Sequence, residues 1–134
     1  MTRPPIRDTI QPDSSKEAEI LEPGDLARLI VDIVSDKKGE DILLLDTRAV
    51  SFISDYFVIA TAASDRQLKA VADEIQKQLK KDRILPLGVE GKPDSGWVLL
   101  DYGSVIAHLF SPGMRDYYRL EKLWEHAPVV VRMQ

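Results

Sequence analysis

The sequence predicts an α/β fold, a mixed five-stranded sheet with helices packed on it. Three observations carry this reading. Two segments, at about 24–37 and 64–81, repeat apolar residues at the spacing of a helix with one buried stripe. Short apolar runs at 42–45, 56–61, 84–90, 97–101 and 104–110 are bounded by Asp, Gly, Pro and Ser, as strands are. The 134 residues are 44% hydrophobic and 30% charged, which suits one domain that folds on its own core without metals or disulfides.

Residues 1–22 read as a disordered tail, with Pro4, Pro5, Pro12 and the polar run 11–15, and no apolar period before Leu26. The tail has no apolar centre for a secretory signal. Its five acids outnumber its three bases, unlike a transit peptide, so the expected location is cytoplasmic. Residues 23–127 form the expected domain. Its first helix starts at Pro23 and Asp25 and buries Leu26, Leu29, Ile30, Ile33 and Val34; Gly39 stops it. Ile42 to Leu45 is a buried strand, 47–55 a loop, and Tyr56 to Thr61 the next strand. The second helix opens on a capping box, Ser64 with Gln67, and buries Leu68, Val71, Ala72, Ile75 and Leu79. Strand 56–61, this helix and strand 84–90 make a βαβ unit, which predicts a right-handed crossover between parallel strands. Gly-rich connections at 91–96 and 102–103 predict antiparallel hairpins for the last three strands. A final helix runs from after Pro112-Gly113 to about His126, and 128–134 is a short C-terminal tail.

Alternation along the strands assigns two faces. With the aliphatic face of 97–101 (Val98, Leu100) under the helices, Trp97 and Asp101 point to the other side. The strand 104–110 is apolar on both faces. The second face is therefore too apolar for water, and either the final helix or a partner must cover it. That helix carries Arg115, Tyr117, Tyr118 and Trp124, residue types enriched at binding hot spots. Tyr117, Leu120 and Trp124 also fall at i, i+3, i+7, the spacing of a core stripe.

Charge and composition exclude several functions. The net charge of −4 is unlike that of a protein holding nucleic acid by its phosphates, and favours a basic partner. There is no cysteine for a disulfide, zinc site or thiol nucleophile. No apolar run approaches the roughly 20 residues of a membrane span. Asp46, Asp55 and Asp101 lie near strand ends. They could hold magnesium for nucleotide chemistry, or simply order turns. No Gly-rich phosphate loop accompanies them, and Gly103-Ser104 lacks the paired acids of a nucleotidyltransferase, because Asp116 is followed by two tyrosines. His108 reads either as a general base or as a sheet histidine with its hydrogen bonds met. Lys77, Lys80 and Lys81 oppose the dipole at the end of the second helix.

Four blocks then combine: Asp55-Tyr56-Phe57-Val58-Ile59-Ala60-Thr61 with Ser64; Glu90-Gly91; Gly96-Trp97-Val98-Leu99-Leu100-Asp101-Tyr102-Gly103 with His108; and Arg115-Asp116-Tyr117-Tyr118-Arg119-Leu120-Glu121-Lys122-Leu123-Trp124. In order and spacing, over about residues 24–126, they resemble the ribosomal silencing factor (Iojap-like) family. The resemblance implies a nucleotidyltransferase-like fold without the catalytic pattern, no enzymatic activity and no cofactor. It implies binding to the large ribosomal subunit, chiefly through large-subunit ribosomal protein fourteen. Such binding blocks joining of the small subunit and represses translation when nutrients are scarce. Homodimers are also implied. Carried onto these blocks, the contact residues are Trp97, Asp101, Tyr102, Arg115, Tyr118, Leu120, Glu121 and Trp124. The two tryptophans would be apolar anchors, and Asp101 and Glu121 would meet basic groups. The alternative is a magnesium-dependent nucleotide-binding or nucleotidyltransferase domain using Asp46 and Asp101.

Overall fold

The computed structural model describes residues 21–134, so the expectation for residues 1–20 lies outside it. The elements run α1 (Pro23–Asp36), β1 (Glu40–Asp46), β2 (Tyr56–Thr61), α2 (Asp65–Lys81), β3 (Gly88–Glu90), β4 (Trp97–Asp101), β5 (Val105–Phe110), α3 (Pro112–Tyr118), α4 (Leu120–Leu123) and β6 (Val129–Met133).

Both long helices form where their apolar stripes begin. At α2 the Ser64 Oγ accepts from the Gln67 N–H at 3.1 Å. The Gln67 side chain does not complete the expected box. Its Oε1 accepts from the Ala63 N–H at 2.7 Å, and its Nε2 donates to the carbonyls of Lys37 and Lys38 at 3.1 and 2.9 Å. One side chain thus ties the start of α2 to the end of α1. The chain leaves α1 through Lys38 in a left-handed conformation and then needs Gly39, where a Cβ would lie 2.4 Å from Val34 Cγ1.

The sheet order is β3-β4-β5-β2-β1-β6, with β2 and β5 parallel and every other pair antiparallel. Six strands replace the expected five. The segment read as a C-terminal tail is β6. Its β-branched valines suit a strand, and it pairs Leu43 with Arg132 and Leu44 with Val131 along the otherwise open edge of β1. The crossover through α2 does join parallel strands, but they are not neighbours. It delivers the chain to the far edge, and the β3-β4-β5 hairpins bring it back beside β2. The strand expected over 84–90 is reduced to 88–90. The Ile84 N–H bonds to Leu79 O at the end of α2, and Pro86 has no N–H to give.

The expected final helix is broken. Arg119 is left-handed (φ 48°), so a seven-residue α3 and a four-residue α4 follow one another at a bend.

Two cores result. On one face α1 and α2 bury Ile30, Val34, Leu68, Ile75 and Leu79 against Val58, Val98, Leu100 and Ala107. On the other face Leu43, Leu45, Phe57, Ile59, Ile106 and Phe110 lie beneath Leu120, Trp124 and Ala127. The C-terminal segment therefore closes the second face over β1, β2 and β5, while Trp97 and Leu99 on β4 stay partly exposed.

Candidate partner-binding face

Trp97 starts β4 on the second face, opposite the helices, as alternation requires. Its ring stacks on Phe110 at 5.0 Å between centroids and meets Tyr118 at 4.6 Å. Tyr118 is 48% exposed and Tyr117, edge-on to it at 5.0 Å, is 76% exposed. The i, i+3, i+7 stripe expected for Tyr117, Leu120 and Trp124 does not form. The bend at Arg119 turns Tyr117 outward, while Leu120 and Trp124 pack inward, Trp124 edge-on to Phe57 at 5.1 Å. Tyr117 is thus a surface residue that helical periodicity hides.

Arg115 and Glu121 are brought together across the bend. The Arg115 Nε donates to both Glu121 oxygens at 3.2 and 3.1 Å, and its Nη1 donates to Thr61 Oγ1 at 2.8 Å. With the Arg115 side chain only 12% exposed, this ion pair and hydrogen bond fasten the bent α3–α4 segment, a clasp over the second face, to the end of β2. Both residues act first as positioning groups for the aromatic surface beside them.

Asp101 and Tyr102 lie apart from that surface. Asp101 is at the opposite end of β4, about 13 Å from Trp97 at the usual strand rise. Its Oδ1 accepts from the Gly103 N–H at 2.7 Å, the turn-ordering role. Tyr102 is buried in the helix-side core, its hydroxyl has no partner among the described residues, and burial pushes its pKa up to about 12. It is a core residue here.

His108 corrects another expectation. It is a sheet histidine, but its hydrogen bonds are unmet: both ring nitrogens are buried without a partner among the described residues. The ring sits against Phe57 at 5.0 Å and Trp97 at 6.0 Å. Burial pushes its pKa down to about 4. Among the described residues no carboxylate orients it as one orients the base of a triad.

The acids do not assemble a metal site. Asp46 is held by Arg48 (Nε 3.0 Å, Nη2 2.7 Å), which lowers its pKa. Three strand steps separate β1 from β4, so Asp46 and Asp101 stand about 14 Å apart across the sheet. One magnesium ion cannot bridge them at its ~2 Å bond lengths. Among the described residues no group of three or more His, Asp or Glu side chains could hold a metal. A groove of about 430 Å³ beside α4 and β6 is lined by Asp41, Glu121 and Glu125 against Arg115, Lys122 and Arg132, a balance that selects no ligand charge. No described helix is long and apolar enough to cross a membrane.

The chain is similar to known proteins in sequence and in fold. Residues 20–134 match the family model described as ribosomal silencing factor during starvation. A ribosomal silencing factor of Bacillus subtilis is 45% identical over 94 residues, covering 70% of this chain and 80% of the relative. One from Halalkalibacterium halodurans is 40% identical over 106 residues, covering 79% and 91%. The crystal structure of a Chromobacterium violaceum protein superposes with a TM-score of 0.75 at 37% identity, covering 78% of this chain and 88% of that one. With a family match spanning both cores and the C-terminal segment over the second face, the chain belongs to the ribosomal silencing factor family.

Proposed function

We propose that the protein binds the large ribosomal subunit through large-subunit ribosomal protein fourteen, blocks joining of the small subunit, and so represses translation under nutrient limitation. The observation that supports this reading is the aromatic surface of α3. Tyr117 and Tyr118 project from a short helix whose position is fixed by Trp97 beneath it and by the Arg115 ion pair beside it. A rigid aromatic pair loses little entropy on docking, and burying it supplies the large contact area typical of hot spots. The net charge of −4 suits a basic ribosomal protein and speeds encounter with it.

The test is co-sedimentation with purified large and small subunits. Wild type should be retained by large subunits only and should lower the joined fraction. A Tyr117→Ala, Tyr118→Ala double variant, its folding confirmed by circular dichroism, should bind roughly tenfold or more weakly. Failure of wild type to bind large subunits at micromolar concentration refutes the function. Equal binding by the double variant refutes the site.

A further inference from the structure

The 47–55 loop lies at the opposite end of the sheet from the aromatic surface, and the function above does not use it. Its tip is apolar: Phe52 is fully exposed and Ile53 is 75% exposed. Its base is fixed. Thr47 is buried and its N–H bonds to Asp55 O at 2.8 Å, while its Oγ donates to Ser54 O at 3.0 Å. The Val50 and Ser51 N–H groups return to Thr47 O at 3.1 and 2.9 Å, and the Ile53 N–H bonds to Ser51 Oγ at 3.0 Å. Two large apolar side chains thus stand in water on a loop whose backbone is held by its own hydrogen bonds. Water penalises that exposure, and a partner would relieve it at little ordering cost.

The surroundings select the partner. The start of α1 reaches this end, with Gly24 against the Tyr56 hydroxyl, and so brings Glu22 and Asp25 here. Asp46 and Asp55 flank the loop, and Asp101 ends β4 nearby, where Ser104 O accepts the Asp55 N–H. Arg48, the cation of the loop, is engaged by Asp46 and lies over the Tyr56 ring. The lysines that end α2 return to this end of the sheet but to its other side, where the chain leads into β3, three strands from β2. With the Asp46–Arg48 pair counted as neutral and Arg28, one turn along α1, offsetting one acid, Glu22, Asp25, Asp55 and Asp101 still leave an acidic excess around the apolar tip. That excess disfavours phosphates and fits a protein surface that offers an apolar pocket ringed by Lys or Arg.

We propose that the 47–55 loop is a second contact with the large subunit, in which Phe52 and Ile53 insert into an apolar, basic-rimmed pocket on a ribosomal protein. It rests on the proposed binding to the large subunit and adds a contact point to it. The two points are separated by the length of β5, about 17 Å. Each would raise the effective concentration of the other.

The experiment compares wild type with a Phe52→Ser, Ile53→Ser double variant in binding to purified large subunits. Circular dichroism and thermal melting should be unchanged, because neither side chain is buried. Affinity should fall roughly tenfold or more. In parallel, a photo-crosslinking phenylalanine analogue at position 52 should join to a Lys/Arg-rich ribosomal protein. Unchanged affinity of the double variant overturns the contact, as does a crosslink to ribosomal RNA or to a second copy of the chain. If wild type itself is not retained, the underlying binding fails and the contact falls with it. If wild type is retained and the loop variant equals it, only the loop proposal fails.

Discussion

His108 makes stability depend on pH in a defined window. The imidazole is 5% exposed among Phe57, Trp97 and Phe110, with no acceptor for a second proton among the described residues. The folded protein therefore holds it neutral down to about pH 4, while in the unfolded chain it titrates near 6.5. Between those values the unfolded chain binds a proton that the folded chain refuses. Stability is complete above pH 6.5 and falls as pH drops towards 4. The gap corresponds to at most about 3 kcal/mol, a large share of a typical domain's stability. Urea unfolding at pH 7.5, 6, 5 and 4 measures it. A His108→Leu variant should lose most of this slope above pH 4.5 and match or exceed wild type at pH 5, since it removes two unpaired nitrogens from an aromatic site. If wild type and His108→Leu run parallel from pH 7 to 4.5, His108 is not buried neutral as described, and the second core is open to water.

Two backbone positions give independent checks. Gly91 has φ +85°, and a Cβ there would lie 2.0 Å from Trp97 O, so Gly91→Ala should cost about 3 kcal/mol or more by thermal melting. Gly88→Ala, with nothing within 4 Å of the added carbon, is the control and should lose well under half of that. Arg119→Gly should raise stability by about 0.5–1 kcal/mol, because it relieves a left-handed non-glycine residue at the α3–α4 bend; a lower melting temperature would show that the Arg119 side chain matters more than the strain.

Much of the helix-side architecture was legible because it is local. The Ser64 cap and the stripe from Leu68 to Leu79 need no distant partner to be read, and every residue of that stripe is buried. The face assignment of Trp97 followed from alternation alone. What escaped depends on long-range pairing. Val129–Met133 resembles a tail until the open edge of β1 gives it a ladder. Strand β2 takes β5 as its neighbour only because two later hairpins fold back. The break at Arg119 carries no Gly or Pro. It accompanies the tie from Arg115 to Thr61, 54 residues away in sequence, and the docking of Leu120 and Trp124 on the second face. Of the eight expected contact residues, Tyr102 is core and Asp101 orders a turn, because position on a strand end says nothing about which way the next residue turns.

The second face explains why core and interface were hard to separate in sequence. Its apolar character demanded a cover, and the cover is built from the same aromatic-rich segment that would meet a partner. Trp97 therefore serves two surfaces, Phe110 below and Tyr118 above. Loss of binding in a Trp97 variant would combine a loosened clasp with a lost contact. Tyr117 is free of that ambiguity, since most of its side chain already stands in water. A binding defect from Tyr117→Ala with unchanged melting would locate the contact on the outer side of α3. A defect confined to Trp97→Ala, accompanied by lower melting, would mean that the clasp matters for its shape rather than for the groups it displays.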